Sequence, residues 1–192
     1  MPENVLQELT KLAATTGSLG WFANRMTGLT RVATEPRPLP VCKLVAKISR
    51  QQFATETEGA VRALTICCGQ PHWQQSYTEA DGFTRNWLDQ YGWVNLVSPE
   101  GLFQSDEVRI SIGYWGAGQR YKEHSHGPEE YYLVLAGQAR FFSQGRDVRD
   151  VRAGEVVHHA PHQKHAIDMT PGPLLVAAFW RGDDLLKKSD LD

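Results

Sequence analysis

Near the start of the chain, apolar residues recur at helical spacing. Val5, Leu6, Leu9, Leu12 and Ala13 predict an amphipathic helix that Gly17 stops. The run Glu35-Pro36-Arg37-Pro38-Leu39-Pro40 cannot continue a helix and reads as a linker. Over 44–68 the pattern again suits helices, two of them, broken near Gly59, and a further short helix is expected over 83–91. After Ser98-Pro99-Glu100-Gly101 the period changes from that of a helix to that of a strand.

Residues 108–114, VRISIGY, alternate apolar and polar side chains, as a half-buried strand does. Further strands are expected at 131–135, 139–143, 155–159, 165–169 and 174–180. They are separated at short, fairly even intervals by Gly116, Gly118, Gly137, Gly145, Gly154, Pro161 and Pro171-Gly172-Pro173. Many short strands so spaced predict an all-β sandwich or barrel. The expected organisation is a helical extension packed on the barrel (1–100), the barrel itself (101–185) and an exposed charged tail (186–192).

Composition narrows the function. The chain has 192 residues, enough for one good core. With 20 Lys and Arg against 22 Asp and Glu the net charge is −2, which gives no basis for a nucleic-acid or anionic-membrane partner. Cys42 and the adjacent pair Cys67-Cys68 form neither an even disulfide framework nor a CxxC zinc spacing, so they are expected to be reduced, buried thiols. The N-terminus carries acidic residues and no continuous apolar run, unlike a signal peptide, and no stretch approaches the length of a membrane span. The expected compartment is the cytoplasm.

The candidate chemistry lies in the histidines. His124 and His126 are two apart, so on an extended chain both imidazoles leave one face. Gly127-Pro128-Glu129 then allows the chain to reverse. The next strand presents Glu130, Tyr132 and Val134 on one face, and Tyr131, Leu133 and Leu135 on the other. Two imidazoles and a carboxylate can thus converge, and a distant His165, after Pro161, can close the site. This is the donor mix of a divalent transition metal: zinc, iron, manganese, nickel or cobalt. His158 and His159 are candidates for the pocket mouth, but a strand sends only one of them inward.

The spacing itself resembles a known pattern. Gly118, five residues, His124, one residue, His126, three residues, Glu130, six residues and Gly137 resemble the first motif of the cupin superfamily, whose fold is a double-stranded β-helix barrel. Gly154, six residues, Pro161, three residues and His165 resemble the second. There, however, cupins usually carry a glycine where this chain has His162-Gln163-Lys164, which leaves His162 in competition with His165.

More narrowly, Tyr121, three residues before His124, Tyr132, two after Glu130, and Trp180 at the end of a late strand resemble the bacterial cupin-type dimethylsulfoniopropionate lyases. Helices ahead of a C-terminal barrel, in a chain of this length, are also similar to that family. The resemblance implies cleavage of a small-molecule substrate, dimethylsulfoniopropionate, to dimethyl sulfide and acrylate by β-elimination. The metal would bind the substrate carboxylate, Tyr132 would act as base, and Tyr121 is the second catalytic candidate. Tyr121 and Trp180 would offer aromatic faces to the sulfonium, an attraction of about 0.5–2 kcal/mol, and N-terminal aromatics would cap the barrel mouth. Two other readings stand beside it: a cupin oxygenase or isomerase using the same ligands, and a non-catalytic cupin that binds a small molecule. Exposed sheet edges make a homodimer plausible.

Overall fold

Val5, Leu9, Leu12 and Ala13 line the buried side of helix α1 (Pro2–Thr15) in a computed structural model that describes residues 2–191. Short helices α2 (Gly20–Ala23) and α3 (Cys42–Val45) follow. In α4 (Glu58–Cys67) the buried side is Ala60, Val61, Leu64 and Cys67, a stripe one turn apart along the axis. Only that helix and the single turn of α3 form over 44–68; Arg50–Gln52 is a 3₁₀ turn. Helix α5 (Arg85–Asp89) starts at Thr84, whose hydroxyl accepts the Trp87 N–H at 3.2 Å. No described helix is long and apolar enough to cross a membrane.

The strands are β1 (Trp73–Gln74), β2 (Tyr91–Ser98), β3 (Phe103–Gln104), β4 (Val108–Trp115), β5 (Arg120–Ser125), β6 (Glu129–Ser143), β7 (Arg149–Arg152), β8 (Val156–His159), β9 (His165–Asp168), β10 (Leu174–Arg181) and β11 (Asp190–Leu191). They pair in the order β1-β2-β4-β10-β6-β9-β5-β11, with β3 on β2 and both β7 and β8 on β6. The fold is therefore mainly β with N-terminal helices, as the residue pattern predicts.

The strands expected at 131–135 and 139–143 are one continuous strand, β6, and further placements differ from the prediction. Strand β2 pairs along β4 from Tyr91↔Trp115 to Val97↔Ile110, so the sheet begins well before residue 100. The expected charged tail is tied down at its end: β11 pairs with β5, Asp190↔Ser125 and Leu191↔His124.

The central strands bury both faces. Along β10, Leu175, Ala177 and Phe179 pack outward against the helices, with Leu9, Phe22 and Leu64. Leu174 and Val176 point into the barrel with Tyr121, Tyr132, Phe141 and Ile167. Each fully buried large apolar side chain contributes about 1.5–3 kcal/mol. The barrel interior is thus lined by residues at every second position, and β6 is the strand on which the site is built.

Strand β6 is long because it serves two groups of partners. Its first half pairs with β10 and β8, its second with β7 and β9. The change occurs at Gly137, where φ is +84° and a Cβ would collide with the carbonyl oxygen of Pro173. Only glycine fits there. Nearby, the buried Thr57 hydroxyl donates to Leu135 O at 2.8 Å and fastens the start of α4 to the same strand.

Candidate functional site

Strand register brings the predicted site residues together. His124 on β5 lies opposite His165 on β9, and Glu130 on β6 lies between Trp180 on β10 and His159 on β8. A register shift between Tyr121 and His124 lets both residues, three apart, turn inward. His126 follows in the turn leading to β6. All of these residues are buried.

Three side chains converge most closely. Donor atoms of His126, Glu130 and His165 lie within 4.8 Å of one another. His126 Nε2 is 3.2 Å and His165 Nε2 3.3 Å from Glu130 Oε2. His124 falls outside that closest group, although its ring centroid is 4.1 Å from that of His165. His162, the competing imidazole, is exposed on a left-handed turn (φ 60°) and does not enter the cluster.

The imidazoles have their tautomers set by the backbone. His124 Nδ1 lies 2.8 Å from Lys122 O, His126 Nδ1 2.9 Å from Pro128 O, and His165 Nδ1 2.8 Å from Gln163 O. A carbonyl only accepts, so each Nδ1 carries a proton, and Nε2 is the nitrogen turned away from the backbone, in His126 toward Glu130 Oε2. His165 Nε2 is buried and makes no hydrogen bond. Two imidazoles presenting Nε2 to one carboxylate oxygen, with His124 beside them, fit a divalent transition metal, whose ligand atoms, bound at roughly 2.1 Å, stand about 3–3.5 Å apart.

His159 is a different kind of neighbour. Its ring stacks on His165 at 3.9 Å, Nδ1 is 3.2 Å from Glu130 Oε2 and Nε2 is 3.1 Å from Ser143 Oγ. Both nitrogens are engaged, so it supports Glu130 and offers no free lone pair. His158 points outward to Glu129, as alternation requires.

The charges are strongly coupled. Burial alone would push Glu130 up, but the facing imidazoles of His126, His159 and His165 hold it well below the usual carboxylate range. His126 is raised, Glu130 outweighing the effect of its burial. Burial, with the neighbouring His165, drives His124 well down, and burial takes His159 down to about 4. Tyr132 and Tyr121 are both pushed well up, chiefly by burial.

A cavity of about 280 Å³ opens beside the cluster, lined among others by Tyr121, Glu130, Tyr132 and Trp180. Tyr132 sits with its ring 6.4 Å from that of His165. Tyr121 stacks near His124 at 4.1 Å and shares a 2.8 Å hydrogen bond with Tyr77. Trp180 donates its indole N–H to Glu130 Oε1 and stacks on His126 at 4.1 Å. From the β4 side, the Arg109 guanidinium lies 4.7 Å from the same indole.

Three features of this wall were not anticipated from the residue pattern, Tyr91, Arg109 and the C-terminal segment around Lys187 and Lys188, nor was Tyr77, which bonds Tyr121 from the adjoining aromatic cluster. The polar face of β4 would have revealed Arg109 only if read as the inside of a barrel. Trp93 and Trp115 also line the cavity, and Phe83, Trp87 and Tyr91 pack into the barrel interior next to them.

A family model described as dimethylsulfoniopropionate lyase matches residues 19–176. The chain is 29% identical over 182 residues to the dimethylsulfoniopropionate lyase DddQ of Ruegeria pomeroyi, covering 94% of this chain and 89% of that protein. Among solved structures it is similar to one reported for the lyases RdDddP and RnDddQII, with a TM-score of 0.93 and 26% identity over 100% of this chain and 97% of the other. It is likewise similar to the crystal structure of Ruegeria pomeroyi DddQ, with a TM-score of 0.90 and 26% identity over 99% and 95%.

Proposed function

The chain belongs to the dimethylsulfoniopropionate lyase family, and from that premise we propose that it cleaves dimethylsulfoniopropionate to dimethyl sulfide and acrylate in the cavity beside Glu130. The observation that carries this reading is the shared wall: Glu130 and Tyr132, two apart on β6, both line the cavity, and Glu130 Oε2 is the atom that His126 and His165 approach.

In this reading His124, His126, Glu130 and His165 hold one divalent transition-metal ion. The ion would supply positive charge that neutralises the substrate carboxylate and offsets Glu130 beside the Tyr132 phenol. Zinc, iron, manganese, nickel and cobalt all suit the donors.

Tyr132, as phenolate, takes the proton from the carbon next to the carboxylate. The electrons of that C–H bond form the double bond of acrylate. The C–S bond breaks, and its electron pair leaves with sulfur as neutral dimethyl sulfide. Tyr121, held by Tyr77, orients the substrate against the aromatic wall of Tyr91 and Trp115. Covering aromatics keep water away from the reacting carbon.

The test is headspace detection of dimethyl sulfide from the purified, metal-loaded protein given dimethylsulfoniopropionate. The expected result is release well above a metal-free control. A signal equal to that control would sink the assignment and leave the fold untouched.

A further inference from the structure

Arg109 is a cation built into the cavity wall. It lies on β4 opposite Trp180, which in turn lies opposite Glu130, so the three residues stand abreast on adjacent strands. Its position is fixed from several sides. Nε donates to Ser111 Oγ at 3.2 Å, and Nη1 donates to Leu185 O at 2.9 Å. The guanidinium carbon is 4.8 Å from the Trp93 ring and 4.7 Å from the Trp180 ring.

Every one of those partners is neutral. Two other cations line the cavity, and each is paired: Lys187 with Asp190 and Lys188 with Asp81, both at 3.7 Å. Arg109 has no ion pair within 4.0 Å among the described residues, and its Nη2 makes no hydrogen bond there. Arginine does not escape the cost of burial by losing its proton. A partly buried charge whose direct partners are all neutral, with Glu130 acting on it only from a distance, is costly to keep, and a carboxylate in the cavity would offset that cost.

We propose that Arg109 is the carboxylate-selecting residue of this cavity, receiving the anionic end of a small acid on its unoccupied guanidinium edge. The proposal rests on the cavity being the substrate site and adds to it a determinant that does not depend on the metal. Because the fork is already held by Ser111, Leu185 and two indoles, little ordering is required on binding. The same aromatic sandwich has a second consequence. Arg109 fills the space between Trp93 and Trp180, so a sulfonium would be directed to the Tyr91, Trp115 and Tyr121 side.

The test is calorimetric titration of the full-length, metal-replete protein with propionate and with propionamide, the same ligand without the charge. Wild type is repeated after chelation, and R109M and R109K are compared with it, with melting temperatures as the folding check. We expect propionate to bind wild type at least about tenfold tighter than propionamide, the scale of one charge-assisted pair. Part of that preference should survive chelation, R109M should lose that part, and R109K should bind propionate more weakly than wild type.

Equal binding of the two ligands by wild type overturns the proposal with no variant needed. So does a preference that vanishes entirely with the metal, or one that R109M retains undiminished after chelation, which would leave Arg109 as a clamp on the C-terminal segment. Calorimetry reads carboxylate recognition whether or not dimethyl sulfide is formed, so failure here is separable from failure of the proposed reaction.

Discussion

Trp180 donates its indole N–H to Glu130 Oε1 across the β10–β6 pairing, leaving Oε2 to face His126, His159 and His165. One carboxylate oxygen is thereby anchored and the other is aimed. His126 stacks on the same indole from the β6 side, and Arg109 approaches it from the β4 side. Trp180 thus holds Glu130 while His126 and Arg109 both lie against its ring.

Trp180→Phe should therefore weaken metal binding while the barrel stays folded. The ring can still stack on His126, but Glu130 Oε1 loses its donor. Loss of such an outer hydrogen bond typically costs about tenfold to a hundredfold in metal affinity. Competition with a chromogenic chelator would measure it, and an affinity equal to wild type would show that Glu130 is held by other means.

Tyr132→Phe should abolish dimethyl sulfide release and leave metal content unchanged. Removal of a general base costs about 10²–10⁴-fold in turnover, whereas the phenyl ring preserves packing against Phe141. Tyr121→Phe breaks the hydrogen bond to Tyr77 and should act mainly on KM. Steady-state kinetics beside elemental analysis separate the two roles. If Tyr132→Phe keeps its turnover while Tyr121→Phe loses it, the base has been assigned to the wrong phenol.

Much of this arrangement was legible in the residues, and the failures have definite causes. Alternation in β6 identified the inward set Glu130, Tyr132 and Val134, because that strand buries distinct residues on its two faces. Strand β2 escaped notice because YGWVNLVS is almost wholly buried and so carries no period of two. Tyr121 and His124 both turn inward only through a register shift that spacing cannot announce. The C-terminal charges read as a solvated tail. Their pairing depends on Asp81, about a hundred residues earlier in the chain, and on β5, neither of which is visible locally. His158 and His159 were equivalent in sequence until register set His159 opposite Glu130.

Just outside the site, Glu129 should make stability depend on acid pH. Arg181 Nε lies 2.5 Å from its Oε2, while His158 Nε2 at 2.8 Å and the Tyr131 hydroxyl at 3.0 Å meet Oε1. The Arg181 guanidinium, with those two donors, takes the carboxyl from its ordinary 4.5 down to about 2. Because the folded value is the lower one, the stabilisation is complete above about pH 4.5 and is lost as pH falls toward 2. The group is partly open to solvent, so the contribution is about 1 kcal/mol rather than the full amount the shift would imply. Urea unfolding of wild type and Glu129→Gln should differ by that amount at pH 6, and the gap should narrow steadily through pH 3. A gap that stays constant over this range would mean that the neutral amide keeps the same contacts, and that the carboxylate charge adds nothing to the strand pairing beside the site.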